Sequence, residues 1–184
     1  MTSVALLVAL SRPAAAQDKF AVGLEGGVTT SWLGPSDPGD AASHGIGAIA
    51  GGYMSIPLSK IAGLLVEGVY VQKHSQIRGL DLRLDYFEIP VLAKLPLFKG
   101  LYMTEGIGVG FPIRAALTSP TSDEADIKPL VTNPDLGLII GGGAKIRRVG
   151  VEVRYDGGFK TVSSAIGSGI GRNRSWAVLA RWQR

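Results

Sequence analysis

Residues 149–160, VGVEVRYDGGFK, alternate strictly between two kinds of side chain. The odd-numbered positions are mostly apolar: Val149, Val151, Val153, Tyr155, Gly157 and Phe159. The even-numbered positions are polar, charged or small: Gly150, Glu152, Arg154, Asp156, Gly158 and Lys160. A period of two is typical of a β-strand whose two faces contact different surroundings.

Seven further segments show the same alternation, which predicts eight strands. Their approximate bounds are 20–32, 45–56, 62–73, 82–95, 101–117, 135–146, 149–160 and 173–183. The connections alternate in length, with long polar stretches at Gly34–His44, His74–Asp81, Thr118–Pro134 and Ser163–Arg172. The short ones are Pro57–Ile61, Pro96–Gly100 and Arg147–Arg148. An even number of antiparallel strands joined in this way predicts an all-β, eight-stranded, up-and-down transmembrane β-barrel.

The composition agrees with that fold class. Mean hydropathy is positive at +0.23, yet no apolar run approaches the roughly 20 residues that a membrane helix needs. Charged residues make up 18%, below the about 25% of soluble domains, and the 26 glycines are about twice the usual share. A chain with no cysteine has neither disulfides nor zinc-thiolate sites.

The N-terminus resembles an export signal. A short apolar run, Val4–Leu10, precedes a break and then the small residues Ala14, Ala15 and Ala16. We therefore predict a signal peptide at residues 1–16 and a barrel domain at residues 17–184. Removing Arg12 leaves 18 basic and 15 acidic residues, a net charge of +3. This charge is too small and too scattered to indicate nucleic acid binding.

Alternation does not say which face points inward, because a soluble lipocalin-type barrel would place its apolar face inside. Here the polar face is rich in glycine, as a narrow lumen requires, and its charges have both signs, as a dry lumen requires. We therefore predict lipid contact for the apolar face. The predicted lumen charges are Glu25, Glu67, Glu88, Lys94, Arg114, Glu152, Arg154, Lys160 and Arg181.

Two further features concern the outer wall. Aromatic residues near strand ends suit the interfacial girdles of membrane barrels; they are Trp32, Tyr70, Phe111, Phe159 and Trp182. Glu105 falls on the apolar parity of its strand. Either it lies at an interface or a bulge shifts the register, and the sequence leaves both open.

One segment carries a family resemblance. Leu84–Pro90 (LDYFEIP), followed by an apolar strand and a short turn, resembles the signature of PorT-like outer-membrane β-barrels. The glycine-rich segment Tyr102–Gly110 and the Asp135–Gly143 entry to the sixth strand are similar too. The resemblance implies eight strands in the outer membrane of a Gram-negative cell. It also implies a structural role for Glu88, as a lumen partner of an arginine, and for Pro90.

Several patterns that could indicate chemistry have simpler interpretations. Residues 45–50 fit G-x-G-x-x-A, but no strand–turn–helix unit follows. His44 and His74 lie at loop edges without an orienting third group. Asp123, Glu124 and Asp126 lack the ligand spacing of a calcium loop. The carboxylates of Glu67, Glu88 and Glu152 fit a lumen plug better than general acids. We therefore predict no catalytic residue, no metal and no cofactor.

The function favoured by these features is a structural or loop-mediated interaction role in the cell outer membrane. Eight strands enclose a space just wide enough for side chains, so a diffusion pore is disfavoured. Expected partners are the outer-membrane bilayer, lipopolysaccharide, the barrel assembly machinery during insertion and a protein partner at the outer loops, with the barrel a monomer. The alternatives are a barrel enzyme acting on outer-membrane lipid and a periplasmic lipocalin-like carrier.

Overall fold

A computed structural model describes residues 20–34, 43–77, 79–119, 122–163 and 170–184. The predicted signal peptide lies outside these residues, as do most of the Gly34–His44 and Ser163–Arg172 loops. Those predictions are therefore not addressed by the structure.

The described residues form nine strands and one turn of 3-10 helix. The strands are β1 Ala21–Leu33, β2 Ser43–Pro57, β3 Gly63–Ile77, β4 Leu80–Pro96, β5 Leu101–Ser119, β6 Ser122–Asp126, β7 Asp135–Ile146, β8 Val149–Ser163 and β9 Ile170–Gln183. The 3-10 turn is Lys128–Leu130, with a proline in its first turn. No helix in the described part of the chain has the length and apolar content needed to cross a membrane.

Eight of the strands close into a barrel. Each pairs antiparallel with its neighbour in chain order, and β9 returns to β1 through pairs such as Gly27 with Leu179. The short β6 pairs only with β5 and lies outside the ring. The predicted eight-stranded antiparallel barrel is confirmed, with β6 as an addition that the sequence pattern did not predict.

The connections place two different surfaces at the two ends of the barrel. Residues 58–62, 97–100 and 147–148 link strands at one end, which we call the short-turn end. The β1–β2, β3–β4, β5–β7 and β8–β9 connections lie at the other, the long-loop end. Outer-membrane barrels direct short turns to the periplasm and longer loops outward.

The predicted loop His74–Asp81 is wrong, because most of it is strand. Pairing continues from His74 with Arg83 to Ile77 with Leu80, so only residues 78–79 join β3 to β4. Gly79 has a φ of 79°, which glycine adopts at little cost in a tight hairpin. A hydrogen bond of 2.7 Å from Gln76 Nε2 to Asp81 Oδ1 supports the same hairpin.

The apolar parity faces outward. On β8, the side chains of Val151 and Val153 are about half exposed, at 51% and 47%, whereas Glu152 and Arg154 are 1% and 4% exposed. A lipocalin-like carrier requires the opposite arrangement, with apolar residues around a central ligand. The outward-facing valines exclude that alternative.

Candidate functional site

The lumen holds a buried group of five charged residues that we call the central cluster: Glu25, Glu67, Glu152, Arg154 and Arg181. They come from four strands, β1, β3, β8 and β9. Each lies on the inward parity of its strand, since alternate side chains point to opposite faces. Strand alternation alone therefore brings both signs of charge together inside the ring.

Arg154 is bound by two carboxylates. Its Nη1 and Nη2 donate to Oε2 and Oε1 of Glu67 at 2.6 and 2.7 Å, a two-pronged pair across the lumen. Its Nε and Nη2 also donate to Oε1 of Glu152, at 3.1 and 3.0 Å. The planar guanidinium matches carboxylate geometry, which makes such pairs among the strongest hydrogen-bonded contacts.

Arg181 links the remaining members. Its Nε donates to Glu25 Oε2 at 2.8 Å, and its other nitrogens donate to Glu67 and Glu152. Thr104 donates a further hydrogen bond of 3.1 Å to Glu152 Oε1. Both arginines thus share the same carboxylates, so removing either leaves buried charge without its partner.

A second group lies nearer the long-loop end. Lys73 Nζ contacts Glu88 Oε1 at 2.7 Å and Asp156 Oδ2 at 2.6 Å. Beside it, Asn173 Nδ2 donates to the hydroxyl of Tyr86 and to Asp135 Oδ2, both at 3.1 Å. These contacts fill the lumen above the central cluster and join five strands, β3, β4, β7, β8 and β9.

A buried apolar group, which we call the apolar cap, lies at the long-loop end of the lumen. Its buried members are Leu33, Leu82, Leu84, Tyr86, Ala115, Ile127, Val131 and Val162. Ile127 and Val131 flank the 3-10 turn, and two backbone hydrogen bonds hold that segment in place. Ile127 N donates to Ala115 O at 3.0 Å, and Thr132 N donates to Val162 O at 2.7 Å. The ion clusters and the cap thus occupy successive levels of the described lumen.

The structure places seven of the nine predicted lumen charges inside or at the mouth of the barrel. Six are buried: Glu25, Glu67, Glu88, Glu152, Arg154 and Arg181. Lys94 is half-buried at the short-turn end, with its Nζ 4.7 Å from the centre of the Tyr102 ring.

The structure does not place Arg114 and Lys160 in the lumen, where the sequence predicted them. Arg114 is exposed and pairs with Glu124 on the adjoining β6. The cause is a bulge in the β4–β5 pairing, which shifts the register between Asp85 and Tyr86. Lys160 is exposed in the β8–β9 irregularity between Gly157 and Thr161. Bulges re-aim side chains locally, and sequence alternation does not reveal them.

Four lumen residues were not predicted as sites: Lys73, Asp135, Asp156 and Asn173. Lys73 shares its parity with Glu67, and Asp156 continues the parity of Glu152 and Arg154. The alternation could therefore have found both. Asp135 and Asn173 lie near strand ends, where too few alternating residues remain to assign a side chain to the lumen face.

The residues considered for chemistry have other partners. The His44 ring lies 4.8 Å from the ring of Trp32, and the Ser31 hydroxyl donates to the backbone carbonyl of His74 rather than to its imidazole. Asp126 Oδ1 accepts a hydrogen bond of 2.9 Å from the backbone N–H of Lys128. The side chain of Asp123 lies outside the described part. Among described residues, no group of three His, Cys, Asp or Glu has a metal-binding arrangement.

Comparison with known proteins identifies the family. The model of the outer membrane protein beta-barrel domain matches residues 15–164. The chain belongs to this family. Its localisation is therefore the outer membrane, as the sequence predicted, and its apolar outer wall contacts lipid. No curated protein matches the chain in sequence.

Two solved structures share the architecture. Ail, the attachment invasion locus protein of Yersinia pestis in complex with the heparin analogue sucrose octasulfate, has a TM-score of 0.51 at 12% identity. That comparison covers 91% of this chain and 100% of Ail. Neisserial surface protein A has a TM-score of 0.54 at 10% identity, covering 88% of this chain and 96% of that one. At such identities the similarity establishes the fold alone.

Glu105 faces outward from the barrel wall. Its pairing with Ala93 and Ile140 is regular, and the β4–β5 bulge lies farther along the strand. The sequence left two alternatives for Glu105, and the one that placed a bulge at this position is therefore wrong. The carboxylate is exposed on the apolar outer wall, so a position at a membrane interface is the alternative that remains.

Replacing Glu105 by leucine is expected to stabilise the barrel. A lipid-facing charge costs free energy that grows with its depth, and for a carboxylate we expect a gain of about 1 kcal/mol on its removal. Urea unfolding in lipid vesicles measures the change. Glu124→Leu is the control, because Glu124 pairs with Arg114 outside the ring; an equal gain there would contradict a membrane origin.

Proposed function

We propose that this protein is a non-conducting outer-membrane barrel that presents its long-loop end as a binding surface. The observation that carries the proposal is the filling of the described lumen by buried charged and apolar side chains. Arg154 and Arg181 connect four strands in mid-lumen, and the apolar cap lies above them. A barrel filled in this way gives a rigid support for its outer face but no route for solutes.

The outer wall near the long-loop end supports an interaction with lipopolysaccharide. The rings of His44, Trp32, Tyr155 and Trp176, on β2, β1, β8 and β9, form a chain of ring contacts with centroid separations of 4.8, 6.4 and 5.1 Å. Arg174, exposed and paired in register with Trp32, lies next to this aromatic row. Aromatic rings with a nearby guanidinium suit an interface where lipid chains meet anionic headgroups.

The proposal includes several finer assignments. The Leu84–Pro90 segment supports a PorT-like place within the family. Closure of β9 on β1 leaves no unpaired barrel edge, which favours a monomer inserted by the barrel assembly machinery. A protein partner at the outer loops belongs to the same proposal. A non-enzymatic role belongs to the same proposal: the Ser31 hydroxyl donates to the backbone carbonyl of His74, and the carboxylates of Glu67 and Glu152 are bound by Arg154 and Arg181.

Planar-bilayer recording tests the closed lumen. We expect the purified protein to give no stable open conductance. A Leu82→Ala, Leu84→Ala double variant removes apolar side chains from the cap and is the matched comparison. Because the ion clusters still fill the mid-lumen, it too is expected to conduct no stable current. A steady single-channel current from the unaltered protein would contradict the proposal.

Ligand binding at the long-loop end has its own measurement. Sucrose octasulfate, which is bound to Ail, provides a defined polyanion probe for this chain. We expect saturable binding that weakens several-fold in Arg174→Gln and is unchanged in Lys99→Gln at the opposite end. Equal loss in both variants would indicate only general charge attraction.

A further inference from the structure

Each of the three turns at the short-turn end combines exposed cations with large exposed apolar side chains. The cations, which we call the turn cations, are Lys60, Lys99, Arg147 and Arg148. Within two residues of them in the chain lie apolar side chains that are each more than half exposed: Leu58, Ile61, Leu97, Phe98, Ile146 and Val149. The same combination therefore recurs at three separate points around the ring.

The charge at this end has one sign. No residue is Asp or Glu within the four described segments that form it, namely 57–63, 94–102, 144–150 and 181–184. The turn cations thus have no acidic neighbour on the turns themselves. The long-loop end differs, because its described charges include the exposed acidic residues Asp81, Glu124 and Asp126. The exposed charge of this barrel is therefore polarised along its axis.

Two of the turn cations occupy an uncommon backbone conformation. Lys99 has a φ of 48° and Arg147 a φ of 56°, in the left-handed region where tight hairpins favour glycine and asparagine. A long basic side chain there costs conformational free energy that glycine at the same position would avoid. Turn formation alone does not account for a cation at either position. This indicates that the charge itself has a role at the surface.

The apolar outer wall continues directly into these turns. Val149 of β8 and Trp182 of β9 are paired in register, and their side chains are 54% and 48% exposed. Gln183 N donates to the backbone carbonyl of Arg148 at 2.8 Å, so the end of β9 lies beside the β7–β8 turn. Tryptophan favours the boundary between headgroups and acyl chains. The adjacent Arg147 and Arg148 are therefore at the level of the headgroups.

We propose that the turn cations bind the headgroups of anionic phospholipids in the inner leaflet of the outer membrane. This leaflet surrounds the short-turn end, because outer-membrane barrels direct their short turns to the periplasm. Basic side chains at a membrane surface attract anionic headgroups, while apolar side chains beside them insert at the boundary with the acyl chains. The proposal concerns the end opposite the outer loops and is independent of what those loops bind.

A lipid surface accounts for both kinds of side chain at this end. A soluble acidic partner would neutralise the turn cations but would leave the large apolar side chains beside them in water. Such side chains, when exposed together, mark a surface that contacts membrane or protein. The three turns join different strand pairs around the ring, and lipid surrounds all of them at once. We therefore favour phospholipid over a soluble acidic molecule.

Local quenching of Trp182 fluorescence tests the proposal. The chain has three tryptophans, so a Trp32→Phe, Trp176→Phe background leaves Trp182, beside Arg148, as the reporter. The full-length folded barrel is placed in vesicles of phosphatidylcholine and phosphatidylglycerol in one fixed ratio. In one sample phosphatidylglycerol carries bromine on its acyl chains, and in the other an equal amount of phosphatidylcholine does. We expect several-fold stronger quenching by the brominated phosphatidylglycerol, and a weaker preference at high salt.

Two variants in this background locate the binding. Arg147→Asn, Arg148→Gln removes the turn cations nearest to Trp182, and asparagine suits the φ of position 147. We expect the two brominated lipids to quench this variant equally. Arg147→Lys, Arg148→Lys keeps the charges and is expected to keep the preference. Heat-modifiable gel mobility verifies that each variant is folded.

The matched control is Arg83→Gln, Lys128→Gln, which removes the same charge from exposed positions at the long-loop end. Its preference for phosphatidylglycerol at Trp182 is expected to equal that of the unaltered turns. An equal loss in this control would show that net charge, rather than the turn cations, attracts the lipid, and overturns the proposal. Equal quenching by both lipids with the turns intact also overturns it, and would leave the turn cations to a soluble acidic partner.

Discussion

Replacing Arg154 by methionine is expected to lower the free energy of unfolding by about 3–5 kcal/mol. Arg154 is 4% exposed and neutralises Glu67 and Glu152, neither of which has access to water. Methionine fills similar space, so the loss comes from uncompensated buried charge rather than from a cavity. Urea unfolding in vesicles, followed by tryptophan fluorescence and by gel mobility, measures the change.

Arg114→Met is the matched control for Arg154. Its ion pair with Glu124 is largely exposed, with side chains 54% and 40% accessible, and exposed pairs contribute about 0–1 kcal/mol. A double variant, Arg154→Met with Glu67→Gln, removes one charge of each sign and is expected to recover much of the loss. If Arg154→Met costs no more than the control, the central cluster does not hold the barrel together.

Replacing Gly27 by valine is expected to prevent the barrel from closing. Gly27 lies on β1 opposite Leu179 of β9, at the seam where the last strand meets the first. A Cβ at this position would overlap the backbone carbonyl of Val178. Because backbone cannot yield as a side chain can, the two strands would have to separate. We expect loss of the heat-modifiable folded band in a refolding assay.

The neighbouring glycine provides the comparison. Gly26 points to the opposite face, and the nearest atom to a Cβ there is the carbonyl oxygen of Ile49 at 3.6 Å, an ordinary contact. Gly26→Val is therefore expected to fold normally, since valine suits a lipid-facing strand position. Equal folded yields for the two variants would show that close approach at the seam does not constrain the fold.

Much of the architecture could be read from alternation. All eight barrel strands begin and end within about four residues of the predicted bounds, because each needs only its own period of two to show a lipid face and a lumen face. The largest difference is at the connection between β3 and β4, which contains His74, Ser75 and Gln76, polar residues that indicate a loop. Their pairing with Arg83, Leu82 and Asp81 extends the hairpin instead. Cross-strand pairing overrode local composition there.

For the lumen, too, alternation predicted some features and only the structure showed others. Alternation identified Glu67, Glu152 and Arg154 as inward residues, but not that Arg154 binds both carboxylates. Partner choice depends on the stagger between strands far apart in sequence. The apolar cap was missed for a related reason: Leu82 and Leu84 occupy a parity that farther along β4 carries Glu88 and Lys94. Only the fold shows that the lumen changes from polar to apolar along its axis.

By itself, then, the sequence determined the strand periodicity and which face of each strand is apolar or polar, and hence a membrane barrel. These properties depend on neighbouring residues only. Tertiary structure decided which charges meet, where Arg114 and Lys160 point, and how the 3-10 segment is held against β5 and β8. Those outcomes depend on bulges and on register, which a short shift along one strand changes while the local pattern stays the same.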